Sequence, residues 1–207
     1  MSWHYGWYEK WTEVRIEMIV KHFSIEFFKD KRILELGCGL SGLGVYFADH
    51  GAKVTCSDAR QEYLDEIAGR HKHVSIMKID LDKEWPVNPE DWDMILSLGV
   101  MYHLADPVDH IKKICQVKHI VLETECLDSF QAETKQRKEQ GIDQAFNGTG
   151  SFASPLLIEN TMKECGMGFT LYTGTECNEG ARNYTWVGRN TKEYGHGYRR
   201  MWFGSRV

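Results

Sequence analysis

Apolar and polar residues alternate along this chain in blocks of two periods, one suited to helices and one to strands. Val14, Ile16, Met18, Ile19, Phe23 and Phe27 fall roughly along one side of a helix. Arg32-Ile33-Leu34-Glu35-Leu36 is a short apolar run suited to a buried strand. It breaks at Gly37-Cys38-Gly39 and resumes at helical density as Leu43, Val45, Tyr46, Phe47 and Ala48, with Gly51 as the stop. Ala52 to Ser57 reads as a second strand ending at Asp58. Residues 61–69 predict a short amphipathic helix, His73 to Ile79 a strand and Trp92 to Ser97 another. Asp106-Pro107 opens the next helix, with proline acceptable in its first turn, and Lys118 to Thr124 is a strand. Ser154-Pro155 starts a helix running to Cys165, with Gly166 as its stop. Phe169 to Tyr172 is a strand. Tyr184 to Gly188 and Tyr198 to Phe203 alternate bulky residues as two arms of a closing hairpin.

Strands alternating with helices predict an α/β fold, a doubly wound and mostly parallel sheet of Rossmann-like type with a C-terminal antiparallel β-hairpin. The expected organisation is a single domain over 1–207, because 207 residues suffice for one large core and not two. Two segments stand outside the alternation. Residues 1–30 combine the first helix with a crowd of aromatics (Trp3, Tyr5, Trp7, Tyr8, Trp11) and read as a helical lid over the cofactor mouth or as a helix docked on the sheet edge. Residues 126–153 hold a polar, helix-compatible piece from Gln131 to Glu139 and a flexible turn at Asn147-Gly148-Thr149-Gly150. A long connection at the ligand end of a sheet is more often functional than decorative, so it reads as a substrate-side insertion.

Composition narrows the classes. No apolar run approaches the roughly 20 residues that span a bilayer, and the first residues lack the basic-then-apolar pattern of a secretory signal. The six cysteines are scattered singly, without a CxxC pair, which fits reduced thiols in a cytoplasmic protein. Of nine histidines only His71-x-His73 forms a close pair, and it lacks a partner at ligand spacing, so no metal site is expected. The net charge of −5 opposes sequence-blind nucleic-acid binding. A basic C-terminal stretch containing Arg182, Arg189, Lys192, Arg199, Arg200 and Arg206 leaves room for an anionic substrate. The letters carry no signal for oligomeric state.

The chemistry concentrates at residues 31–58, a strand, glycine loop, helix, strand and acid. Gly37-x-Gly39-x-x-Gly42 matches the dinucleotide fingerprint, a weak signal alone. Glu35 argues against it, because a carboxylate two residues before the first glycine would face the pyrophosphate that such a loop receives. A ligand carrying an ammonium and a sulfonium has the opposite sign. Glu35-Leu36-Gly37-Cys38-Gly39 resembles the first motif of the class I methyltransferases that use S-adenosyl-L-methionine, and Asp58 matches the acid whose oxygens accept both ribose hydroxyls.

The resemblance implies further roles. Glu35, Gly37, Cys38, Gly39, Asp58 and Ala59 frame the cofactor, Asp80 with Leu81 meets the adenine amino group, and Leu98, Gly99 and Tyr102 surround the transferable methyl. Trp7 or Arg15 reaches the methionine carboxylate. His103, just past the fourth strand, is the candidate general base, since an imidazole titrates near neutral pH. Tyr102, His103 and Arg182 are the candidate substrate contacts.

Within the class, GVMYHLADP, VLETE, KECGM and RNYTW together resemble the branch that contains the tRNA wobble-uridine carboxymethyltransferase. In that branch a tyrosine and a late arginine, matching Tyr102 and Arg182, hold an extra cofactor carboxylate. The branch carries a long N-terminal extension that the roughly 30 residues before the first strand are too few to supply as a domain. The expected function is methyl transfer to an oxygen or nitrogen of a small molecule or sugar. A tRNA or other nucleic-acid (carboxy)methyltransferase and a non-catalytic cofactor-binding subunit remain the alternatives.

Overall fold

A computed structural model describes residues 6–40, 42–141 and 144–206. The helix α1 (Gly6–Phe23) leads into β1 (Arg32–Leu36), α2 (Gly42–Asp49), β2 (Lys53–Asp58), α3 (Gln61–Arg70), β3 (Ser75–Lys78) and β4 (Met94–Leu98). Then follow α4 (Pro107–Ile114), β5 (His119–Asp128), β6 (Thr134–Lys138), β7 (Thr149–Ala153), α5 (Pro155–Glu164), β8 (Met167–Leu171) and β9 (Glu193–Arg206).

The strands β3, β2, β1, β4 and β5 lie side by side in that order, all parallel. Strict alternation divides each central strand between two cores, as expected for a sheet covered on both faces. Ile33 packs with Ile19, Phe28, Phe47 and Leu64 under α1, α2 and α3. Its neighbour Leu34 packs with Ile95, Ile111, Ile158 and Met162 under α4 and α5. The helix starts follow their sequence signals. Asp106 caps α4 by accepting from Asp109 N, and Ser154 caps α5 by accepting from Leu157 N, each with proline in the first turn.

Beyond β5 the sheet turns antiparallel. The long strand β9 runs against β5, and β8 pairs with the outer edge of β9. The expected antiparallel C-terminal pair is therefore present, but its arms are β8 and β9. Tyr184 to Gly188 is irregular. Its bulky residues are spent elsewhere: Trp186 donates its indole proton to Arg199 O at 3.1 Å and stacks on Tyr198.

The piece from Gln131 to Glu139 is also corrected. Thr134 to Lys138 forms β6, paired antiparallel with β7. A run of polar residues carries no hydrophobic period, and the partner strand decides its conformation. The hairpin joins the sheet through Cys126 and Ala153, at the point where the β5–β9 register shifts. Among the described residues, no helix is long and apolar enough to cross a membrane.

Candidate active site

The C-terminal ends of the parallel strands open onto a cavity of about 810 Å³, within the roughly 300–1,000 Å³ of small-molecule and cofactor sites. Its wall contains Gly37, Gly39, Asp58, Ala59, Asp80, Leu81, Leu98, Gly99, Tyr102, His103, Arg15 and Arg182. Most of the residues singled out from the sequence thus converge here from separate elements. The exceptions are Glu35 and Cys38.

The first glycine loop is tightly seated. Gly37 has φ +60°, and a Cβ there would stand 2.4 Å from Val100 Cγ2, so only glycine admits the loop between β1 and β4. Glu35 does not line the cavity. Its Oε2 accepts from Gly44 N at 3.2 Å, in the first turn of α2, where a carboxylate complements the helix dipole. Its carboxylate thus meets the helix that follows the loop. Cys38 is buried beside it, its backbone N–H tied to Ser57 O at 2.9 Å, and it also lies off the cavity wall. The Trp7 side chain, like residues 1–5, lies outside the described residues.

Asp58 closes β2. Its Oδ2 accepts from Gly39 N at 3.1 Å and its Oδ1 from Arg60 N at 2.9 Å. Burial pushes its acid above the ordinary value, against the pull of those N–H groups. A carboxylate oxygen can accept more than one bond, so both oxygens keep capacity for a diol. At the same end, Asp80 meets the insertion: Asn147 Nδ2 donates to Asp80 Oδ1 at 2.9 Å and to Asp82 Oδ2 at 3.1 Å. Lys83 Nζ lies 2.9 Å from Asp80 Oδ2. Burial raises the Asp80 acid, but the bonds from Lys83 and Asn147 hold it below the ordinary value. Phe146, half exposed, lines the cavity mouth here, with the Arg60 guanidinium 5.5 Å from its ring centre.

The opposite end is cationic. Arg15 on α1, Arg182 and Arg199 on β9 surround the Trp11 ring, with guanidinium carbons 3.3, 4.5 and 4.8 Å from its centre. Two buried carboxylates hold Arg15 and Arg199. Arg15 pairs with Glu123, Arg199 Nη1 donates to Glu123 Oε1 at 2.9 Å, and Arg199 Nη2 donates to Glu125 Oε1 at 2.9 Å and to Tyr102 OH at 3.1 Å. Tyr184 OH donates to Glu123 Oε1 at 3.1 Å and receives the Trp11 indole proton at 2.8 Å. Arg182 Nη2 donates to Glu179 Oε2 at 3.3 Å, so each of the three guanidinium groups has a carboxylate partner. Sequence reasoning named Arg15, Tyr102 and Arg182 but missed Trp11, Glu123, Glu125 and Arg199 as site residues. A signal existed: two acids at alternate positions of a buried strand share one face and call for buried cations.

His103 sits on a short turn after β4 and lines the cavity. Its Nδ1 lies 2.6 Å from Oε2 of Glu139, just past β6. Arg137 Nη2 donates to the other oxygen of Glu139 at 2.5 Å. The insertion therefore meets the cavity wall at two places, with the turn around Phe146 and Asn147 near Asp80 and the β6–β7 hairpin against His103. Among the described residues, no group of three or more His, Cys, Asp or Glu side chains is placed to hold a metal ion.

Residues 33–119 match the methyltransferase domain family. The tRNA U34 carboxymethyltransferase of Pseudomonas putida (strain GB-1) is 32% identical over 138 residues, covering 59% of this chain and 38% of that protein. This chain thus spans well under half the length of such curated relatives. Among solved structures, the N-terminal domain of EvdMO1, determined in the presence of SAH and D-fucose, superposes with TM-score 0.67 at 16% identity, over 100% of this chain and 84% of that one. The magnesium protoporphyrin IX methyltransferase (ChlM) of Synechocystis PCC 6803, with bound SAH, gives TM-score 0.61 at 14% identity, over 95% and 84%.

Proposed function

We propose that this chain, whose residues 33–119 match the methyltransferase domain and whose fold is shared with S-adenosylmethionine-dependent methyltransferases, transfers a methyl group from S-adenosyl-L-methionine to an oxygen or nitrogen of a small molecule or sugar. The observation that carries this reading is Asp58 at the end of β2, beside the bare Gly37–Gly39 loop in the cavity wall. The residues fit the cofactor. The Asp58 oxygens suit the ribose diol, Asp80 and Leu81 the adenine, and the Arg15 end an α-carboxylate. When bound, the sulfonium supplies an already activated methyl carbon. The protein then has to align the acceptor, exclude water and remove a proton. Structural neighbours with bound SAH, and one determined in the presence of SAH and D-fucose, support the assignment.

A second reading has its own observation. Arg15, Arg182 and Arg199 gather around the Trp11 ring, with Arg199 bonded to Tyr102, and this cluster of guanidinium donors at one end of the cavity suits a carboxylated cofactor. The tRNA U34 carboxymethyltransferases among the relatives point the same way. The net charge of −5 argues against a tight grip on phosphate backbones.

Calorimetry with S-adenosylhomocysteine tests the cofactor site. Asp58→Ala removes two charge-assisted hydrogen bonds, each worth about 1.5–3 kcal/mol. Affinity is expected to fall by about tenfold to several hundredfold or more, and an unchanged Kd would overturn the assignment. Incubation with methyl-labelled cofactor and separated metabolite, glycan and tRNA fractions tests the acceptor. Label in metabolites or glycans supports the first reading. Salt-sensitive label in tRNA, or carboxymethyl transfer, supports the second. Tight cofactor binding with no fraction labelled marks a non-catalytic subunit.

A further inference from the structure

Glu139 is a poor choice for a surface hairpin residue. Its side chain has no solvent exposure, although it belongs to a run of lysines, arginines and glutamines that are mostly exposed. Three donors converge on it: Ala145 N at 2.8 Å and His103 Nδ1 at 2.6 Å on Oε2, and Arg137 Nη2 at 2.5 Å on Oε1. Burial raises its acid, but the bonds from His103, Ala145 and Arg137 outweigh that and bring it down to about 2. Glu139 is therefore a carboxylate over the whole working range, with lone pairs to accept and no proton to give.

The consequence falls on His103. A ring nitrogen 2.6 Å from an acceptor-only oxygen must carry the hydrogen. In the neutral imidazole the other nitrogen, Nε2, is then bare, on a residue that lines the cavity. The hairpin is built to hold this pairing. Gly150 on β7 is buried, and a Cβ there would stand 2.5 Å from Tyr102 O and 3.0 Å from Glu139 Cδ. Bare backbone lets the hairpin close onto the Tyr102–His103 turn. The Arg137 guanidinium, which also bonds Tyr194 OH and lies 5.1 Å from the Phe152 ring centre, fixes the second oxygen.

We propose that Glu139 is a positioning residue: from the insertion hairpin it locks His103 as the Nδ1–H tautomer, leaving Nε2 to receive the acceptor's proton. This rests on the reading of the cavity as a methyl-transfer site. In that reaction the acceptor's proton passes to Nε2 and its lone pair forms the bond to the methyl carbon. The carbon–sulfur bonding pair returns to sulfur, and Glu139 stays anionic beside the imidazolium that results. The insertion thereby completes the acceptor side of the site.

The test is a long-range proton–nitrogen correlation spectrum of the full ¹⁵N-labelled chain in mildly alkaline buffer, with His103→Gln to assign the ring. The expected result is a protonated Nδ1 and a bare Nε2. A wild-type ring with its proton on Nε2 would overturn the proposal, whether or not any variant folds. In Glu139→Leu, with no acceptor beside Nδ1, the Nε2–H form is expected to appear, and retention of the Nδ1–H form would also overturn it. With an acceptor fraction that takes label, Glu139→Gln should lose about tenfold or more in kcat with KM little changed, as expected when a base loses its orienting carboxylate. Unchanged kcat would reduce Glu139 to a hairpin brace and overturn the role. Calorimetry with S-adenosylhomocysteine on the same samples separates the two levels. No binding with the expected tautomer removes the methyl-transfer reading and leaves the tautomer lock standing.

Discussion

Replacing Arg199 with methionine is expected to destabilise the fold by about 3–5 kcal/mol, the range for removing one partner of a buried ion pair. Arg199 is 5% exposed and joins Glu123, Glu125 and Tyr102 from β9. Glu123 has no exposed surface, so the guanidinium cannot be replaced there by bulk water. Burial alone would raise the Glu123 acid. Arg15 and Arg199 outweigh it and bring it below the ordinary value of 4.5. A depressed folded value means that Glu123 contributes stability above the ordinary carboxylate range, and that the contribution is lost as pH falls through the folded value. Urea unfolding should therefore show wild type weakening below about pH 4.5, and the gap between wild type and Arg199→Met narrowing in acid. Adding Glu125→Gln to Arg199→Met should recover part of the loss, because one buried charge goes with its partner. Equal midpoints for wild type and Arg199→Met at neutral pH would show that the network is solvated and weak.

That network also marks where the sequence stops being legible. The βαβ unit, the capped starts of α4 and α5 and the placement of Asp58, Gly99 and Tyr102 come from local patterns a few residues long. The network's buried contacts join residues far apart: Arg15 pairs with Glu123, 108 residues on, and Trp11 bonds Tyr184, 173 residues on. No periodicity links such positions, and only the closed sheet brings them together. The partner of Glu35 was hidden for a related reason. The carboxylate charge was visible, but the α2 backbone N–H group that takes it becomes a partner only once the helix forms. The β6–β7 hairpin was hidden by composition. Thr134 to Lys138 is polar on both faces, so nothing distinguished strand from helix until Ser151 and Phe152 were placed opposite. The same hairpin supplies Glu139, which in the sequence is one more acid in a charged run.

His103→Gln is expected to lower turnover by about 10²–10⁴, the usual contribution of a positioned acid or base, while leaving cofactor affinity intact. Two observations set the expectation. His103 lines the cavity from the turn after β4, and its Nδ1 is committed to Glu139, so the other nitrogen is the one left for chemistry. Glutamine keeps comparable reach and polarity, and its amide can still bond Glu139, so the hairpin contact survives while the basic nitrogen is lost. A competing role makes a different prediction from the same geometry. If His103 only braces the hairpin through Glu139, the loss is one hydrogen bond to a charged group, about 1.5–3 kcal/mol of stability. Turnover would then stay within a few-fold of wild type and its pH profile would keep its shape. A base gives the opposite pattern: a nearly unchanged melting temperature, an unchanged Kd for S-adenosylhomocysteine, and loss of the pH step that wild-type turnover shows. The two outcomes differ by orders of magnitude in kcat. Steady-state rates across pH 5.5–9 with the identified acceptor decide between them, and a His103→Gln enzyme within a few-fold of wild type across that range would retire His103 as the base.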